Sequence, residues 1–193
     1  MRNISRISLV AAASAVLVAS MAIPASADTI DSVVSGSTLT ASTSGATLTG
    51  VTLNGTGTQT ATAAASSAWS ITDARGTGAA WTLSVTASIP TSAAGTVETA
   101  ARTLPVGGLR IAPGTVTAGS GADVATNITG PTLAMTGSQQ ALVSASGTSK
   151  GTYSLTPTYS LDVPANAYRS NYAGAVGSTA LNPYTSTITY TIA

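Results

Sequence analysis

The larger apolar side chains of this sequence recur at every second position, and that period fixes its fold class before any other feature is considered. In Trp81-Thr-Leu-Ser-Val-Thr-Ala87 the apolar residues alternate with hydroxyl residues. The same pattern runs through Tyr153, Leu155, Pro157, Tyr159, Leu161 and Val163, and again through Tyr184, Ile188, Tyr190 and Ile192. A period of two places one set of side chains on one face of a strand. Shorter alternating runs occur at Ala46 to Leu53, at Leu133 and Met135, and at Ala141, Val143 and Ala145. No stretch after Ala27 carries a helical period, and Gly and Pro turns are frequent, so the expected fold is all-β, a single antiparallel, Ig-like β-sandwich domain. Pro157 marks either a join between two strands or a break within one long strand. Pro105 and Gly107-Gly108 suit a sheet edge or bulged crossing better than a central strand. Asn54-Gly55 is a two-residue turn signal. Before Thr38, composition fits a flexible leader as well as it fits strands.

The stretch from Trp69 to Ala87 holds both tryptophans. Its flanks alternate (Trp69, Ile71; Trp81, Leu83, Val85, Ala87), and its middle is Asp73-Ala-Arg-Gly-Thr-Gly78. Asp73 can accept from a nearby backbone amide, and Gly76 and Gly78 can take positive φ, so the chain reverses here. The expectation is a hairpin with a long loop, its two flanks paired with each other. Both tryptophans lie on the apolar parity of their strands, which favours the core; the alternative is an exposed platform for a sugar ring or a partner. Asp73 and Arg75 likewise have two readings, a turn closed by a local ion pair or a guanidinium fork for a ligand carboxylate.

Residues 1 to 27 read as a signal peptide. Arg2 and Arg6 precede an apolar run from Leu9 to Ile23, and Ala25-Ser-Ala27 supplies small residues at the cleavage site. The run is shorter than the roughly 20 residues a spanning helix needs, so no membrane anchor is expected after cleavage. The rest, 28 to 193, suits one domain with a real core. It keeps five basic residues, Arg75, Arg102, Arg110, Lys150 and Arg169, against six acidic ones. So few scattered cations match neither a nucleic-acid backbone nor anionic lipid.

The chain has no cysteine and no histidine. An exported fold without disulfides rests on burial and sheet hydrogen bonds, and the usual zinc, copper and haem ligands are missing, so no cofactor or metal is expected. A serine nucleophile would have only Lys150 as a base, and the position three residues earlier is Gly147. Paired carboxylates would have to come from six scattered acids. No catalytic residues are expected, and the protein is read as non-enzymatic.

Asp73, Arg75, Gly76, Gly78, Trp81 and Leu83 match the Asp-x-Arg-Gly-x-Gly loop and Trp-x-Leu tripeptide of the WxL-domain family of bacterial surface proteins, which this chain resembles. The resemblance continues in Gly151-Thr-Tyr-Ser154, Val163-Pro-Ala-Asn-Ala167 and Tyr184-Thr-Ser-Thr-Ile-Thr189. Two departures stand out. The second Trp-x-Leu is altered to Tyr190-Thr-Ile192, and an insertion-like stretch runs from Tyr168 to Pro183. The resemblance implies a secreted cell-surface protein held noncovalently by peptidoglycan of the cell wall. A second expectation is a structural or assembly protein that binds other surface proteins or itself. The sequence-level ligand-binding candidates are Asp73, Arg75, Trp69, Trp81 and Tyr190.

Overall fold

A computed structural model describes residues 32 to 193; the signal peptide expected over residues 1 to 27 lies outside them. The fold from Ser35 to Ala193 is all-β, with several antiparallel sheets packed in a sandwich-like arrangement. Its plan is a three-stranded antiparallel ribbon folded around the core. One pass runs through Gln59–Ala64, Trp69–Asp73 and Trp81–Ala87. A second runs through Leu109–Ala112, Thr117–Ala118 and Ile128–Thr129, and a third through Gln140–Ala145, Gly151–Leu155 and Thr158–Val163. The third pass lies between the other two and pairs with both. Bends in the ribbon divide it into three sheets, each extended to four strands by Leu39–Ser42, Leu133–Ala134 or Ile188–Ile192.

The alternation seen in the sequence selects the face that each strand buries. Trp81, Leu83, Val85 and Ala87 are all buried from one strand. Tyr153 and Leu155 are buried from the next sheet, and Tyr159, Leu161 and Val163 from the third. Pro157 joins two strands of different sheets, since a residue without an amide hydrogen suits the point where one ladder ends and another begins. Trp81 and Tyr153 meet across the core with ring centroids 6.4 Å apart.

The structure corrects three expectations. Trp69–Asp73 and Trp81–Ala87 do not form a hairpin: the first pairs with Leu39–Ser42 and Gly151–Leu155, the second with Gln140–Ala145 and Ile188–Ile192. The loop carries the chain from one sheet to another, so the two tryptophans enter the core from different sheets. Leu109–Ala112 is not an edge strand. Pro105 and the glycines form a short 3-10 turn ahead of it at Val106–Gly108, leaving the strand free to pair on both sides. In Gln140–Ala145 the register slips between Ala141 and Val143, so Leu142 is the extra residue of a β-bulge and is buried alongside Val143, while Ala141 is exposed.

Candidate functional site

The Asp73 loop is closed on itself. Asp73 Oδ1 accepts from the Arg75 main-chain amide and from Arg75 Nε, both at 3.0 Å, and Oδ2 accepts from Nη2 at 3.0 Å. Nη2 also donates to the carbonyl of Ala79 at 2.8 Å. Gly76 and Gly78, at φ 74° and 68°, supply the left-handed residues of this turn. The Arg75 hydrogen bond holds the buried Asp73 carboxyl below the usual range despite desolvation, and Asp73 raises Arg75 in return. The fork that would grip a ligand carboxylate is occupied by the chain's own.

Trp69 and Trp81 are 1% and 2% exposed, so both are core residues and neither offers a free face for stacking. Their ring nitrogens donate to main-chain carbonyls, Trp69 Nε1 to Ser44 at 2.9 Å and Trp81 Nε1 to Ser149 at 3.3 Å. Tyr190 sits edge-on against Trp69 with centroids 4.8 Å apart. The Tyr159 hydroxyl donates to Ser44 O at 2.8 Å, so the 2.8 Å contact between the two tyrosine hydroxyls is donated by Tyr190. Burial pushes both tyrosines up, Tyr190 further because its bonded neutral form is also favoured.

Of the five candidates, Tyr190 alone lines a cleft of about 1020 Å³ that runs between a strap at residues 43 to 53 and the segment from Tyr184 to Tyr190. Its floor is the inner face of the sheet containing Ala61, Leu109, Leu161 and Val163. The strap is extended without regular pairing. It packs Ala46 and Leu48, then Val51 and Leu53, against the core, the parity changing at Gly50. Asn54 ends it by accepting the amides of Thr56 and Gly57.

The stretch from Tyr168 to Pro183 forms the far rim of the cleft. It contains two short paired strands, Asn171–Tyr172 and Leu181–Asn182. Glu98 ties it down, accepting a fork from Arg169 (Nη1 to Oε2 at 3.1 Å, Nη2 to Oε1 at 2.6 Å), a bond from Arg102 at 3.2 Å and the Tyr172 amide at 3.3 Å. Arg169 and Arg102 also lie 4.1 Å above the rings of Tyr172 and Tyr168. Fully buried Asn171 completes the dock through the carbonyls of Ala93 and Ala100, both at 2.9 Å. Elsewhere, the single lysine, Lys150, donates to Asp123 at 2.8 Å, and that contact lowers the Asp123 carboxyl.

Sequence reasoning did not find the cleft. Its floor was legible as strand parity, but its walls are an unpaired strap and the irregular stretch from Tyr168 to Pro183, whose positions depend on partners far away in the chain. Compared with family models, with curated proteins and with solved structures, the chain matches none.

Proposed function

We propose that this chain is an exported, non-enzymatic surface protein, a single Ig-like β-sandwich domain that associates noncovalently with peptidoglycan of the bacterial cell wall. One observation carries the reading: the scattered segments that resemble the WxL family converge on one core. The Trp69 strand pairs with the Gly151-Thr-Tyr-Ser154 strand. The Trp81-Thr-Leu83 strand pairs with Ile188–Ile192, which continues from Tyr184-Thr-Ser-Thr. Tyr190, in the altered second signature, meets Trp69. Segments so distant in sequence share a core when they belong to one unit, which supports taking the family's wall association as a whole. Sedimentation of the purified protein with protein-free cell walls tests it. The expected result is a saturable bound fraction, and protein left wholly in the supernatant overturns the reading.

A second reading, binding to another surface protein or to itself, is favoured by the cleft, whose floor is aliphatic and whose walls carry unpaired main chain. Neither reading assigns nucleic acid or a membrane anchor as a partner.

A further inference from the structure

We infer that the cleft binds an extended, uncharged polypeptide strand from another protein, paired to the main chain of the final strand and seating alternate apolar side chains against the partly buried aliphatic residues of the cleft walls. This rests on the second reading above and is independent of wall binding.

The final strand supplies the pairing edge. Its bonds to the neighbouring strand run through Thr187 (Ser88 amide to Thr187 O, 2.9 Å) and Ala193 (Ala193 amide to Thr82 O, 3.1 Å). In an antiparallel ladder the main-chain groups alternate in direction, so those of Ile188, Tyr190 and Ile192 point to the other side. That side carries no paired strand among the described residues. Natural edges are guarded by lysine, proline or a bulge, and Ile188-Thr-Tyr-Thr-Ile192 has none of these. The opposite wall is unpaired as well. From Ala46 to Leu53, the one main-chain bond among the described residues is Thr49 N to Thr62 O at 3.3 Å. Two walls of open donors and acceptors match another main chain.

Charge and wall chemistry then select the occupant. Arg169 is the one charged residue lining the cleft, and Glu98 already neutralises it. A charged ligand segment would lose water without gaining a counter-ion, so the bound stretch is uncharged. The partly buried Leu48, Val51, Leu53 and Ile188 line the cleft with aliphatic surface, which complements apolar side chains better than the hydroxyl-covered ring of a sugar. Main-chain pairing with pockets for alternate side chains is strand addition to a sheet edge.

The probe is a blocked heptapeptide of alternating Thr and Val, with a second peptide of the same side chains N-methylated at alternate residues. Hydrogen exchange of the intact domain, read at the amides of the cleft-lining Ile188 and Tyr190, should slow by about tenfold or more with the first peptide and stay unchanged with the second. Leu48→Glu, which puts a carboxylate at a partly buried strap position, should weaken the peptide about tenfold in a domain that still melts cooperatively. The inference is overturned by unchanged exchange at saturating peptide, by equal binding of the N-methylated peptide, or by protection by N-acetylglucosamine oligomers but not by peptide. Protection that appears without peptide and rises with protein concentration overturns it in favour of a second copy. Wall sedimentation of Leu48→Glu separates the two readings, since retained wall binding with lost peptide binding places them on different surfaces.

Discussion

Two hydroxyl protons tie together three segments that lie far apart in the chain: Tyr190 donates to Tyr159, and Tyr159 donates to the carbonyl of Ser44. The direction of this relay makes the two tyrosines unequal. Tyr190→Phe removes one bond and leaves Tyr159 bonded to Ser44, so it should cost roughly 0.5 to 1.5 kcal/mol. Tyr159→Phe removes both bonds and strands the Tyr190 hydroxyl in a half-buried position, and should cost more. Denaturant unfolding of the two variants checks the order; equal losses would remove the relay as a stabilising unit. Asp73 makes the second residue-scale case. Its folded pKa is lowered, so its contribution to stability is fully present above the unfolded carboxylate value of about 3.9 and is lost as pH falls through the folded value. Asp73→Asn should therefore destabilise by roughly 1 to 3 kcal/mol at pH 7, with the difference closing in strong acid. A gap between the two proteins that stays constant from pH 7 to pH 2 would contradict this. The role of Asp73 in a turn was legible in the sequence, because Asp before Gly-x-Gly has few other uses. The local ion pair with Arg75 was one of the two readings of that turn and is the one the structure holds; the further bonds of Arg75 to Ala79 and Ala80 were not legible, because those carbonyls are placed by the crossing between sheets.

At the scale of elements, parity told which face each strand buries and not which strand lies beside it. The tryptophan flanks read as a hairpin because both alternate and a turn separates them, yet a long loop serves equally well as a crossing between sheets. Gln140–Ala145 shows the limit of parity itself, since a bulge lets Leu142 and Val143 both be buried where strict alternation would expose one of them. The stretch from Tyr168 to Pro183 was visible only as an interruption of the periodic runs. Its order comes from Glu98 and Asn171, neither of which belongs to any periodic run. Glu98→Gln should loosen the Tyr168 to Pro183 stretch without unfolding the sheets, because the Asn171 bonds remain and the Arg169 fork is partly solvated. Amide exchange should accelerate at Asn171–Tyr172 and Leu181–Asn182 while the melting temperature changes little. Uniform acceleration across the core strands would instead make Glu98 a global stabiliser.

For the whole molecule, the folded ribbon makes the last strand matter beyond its length. Ile188–Ile192 closes the outer edge of Trp81–Ala87, the strand that contributes Trp81, Leu83 and Val85 to the core. Fully burying a large apolar side chain is worth roughly 1.5 to 3 kcal/mol, and Tyr184, Ile188, Tyr190 and Ile192 are each only partly buried, so together they supply on the order of 3 to 6 kcal/mol. A domain whose net stability is about 5 to 15 kcal/mol loses much of its margin with them. Removal also takes away the edge of Tyr190 against Trp69, uncovers the Trp81–Ala87 ladder and frees one rim of the cleft. An open, Thr-rich and uncharged edge next to an exposed apolar core is prone to pair with other chains. Truncation after Pro183 should therefore give a protein that is unfolded or aggregated at 25 °C, lacking a cooperative thermal transition. If the truncated protein stays soluble and regains a cooperative transition when the Tyr184–Ala193 peptide is added, the final strand is a separable part of the sheet, and the same edge accepts a strand from outside. A truncated protein that melts cooperatively without the peptide would show that the ribbon closes its core unaided, and would remove the final strand from the structural account.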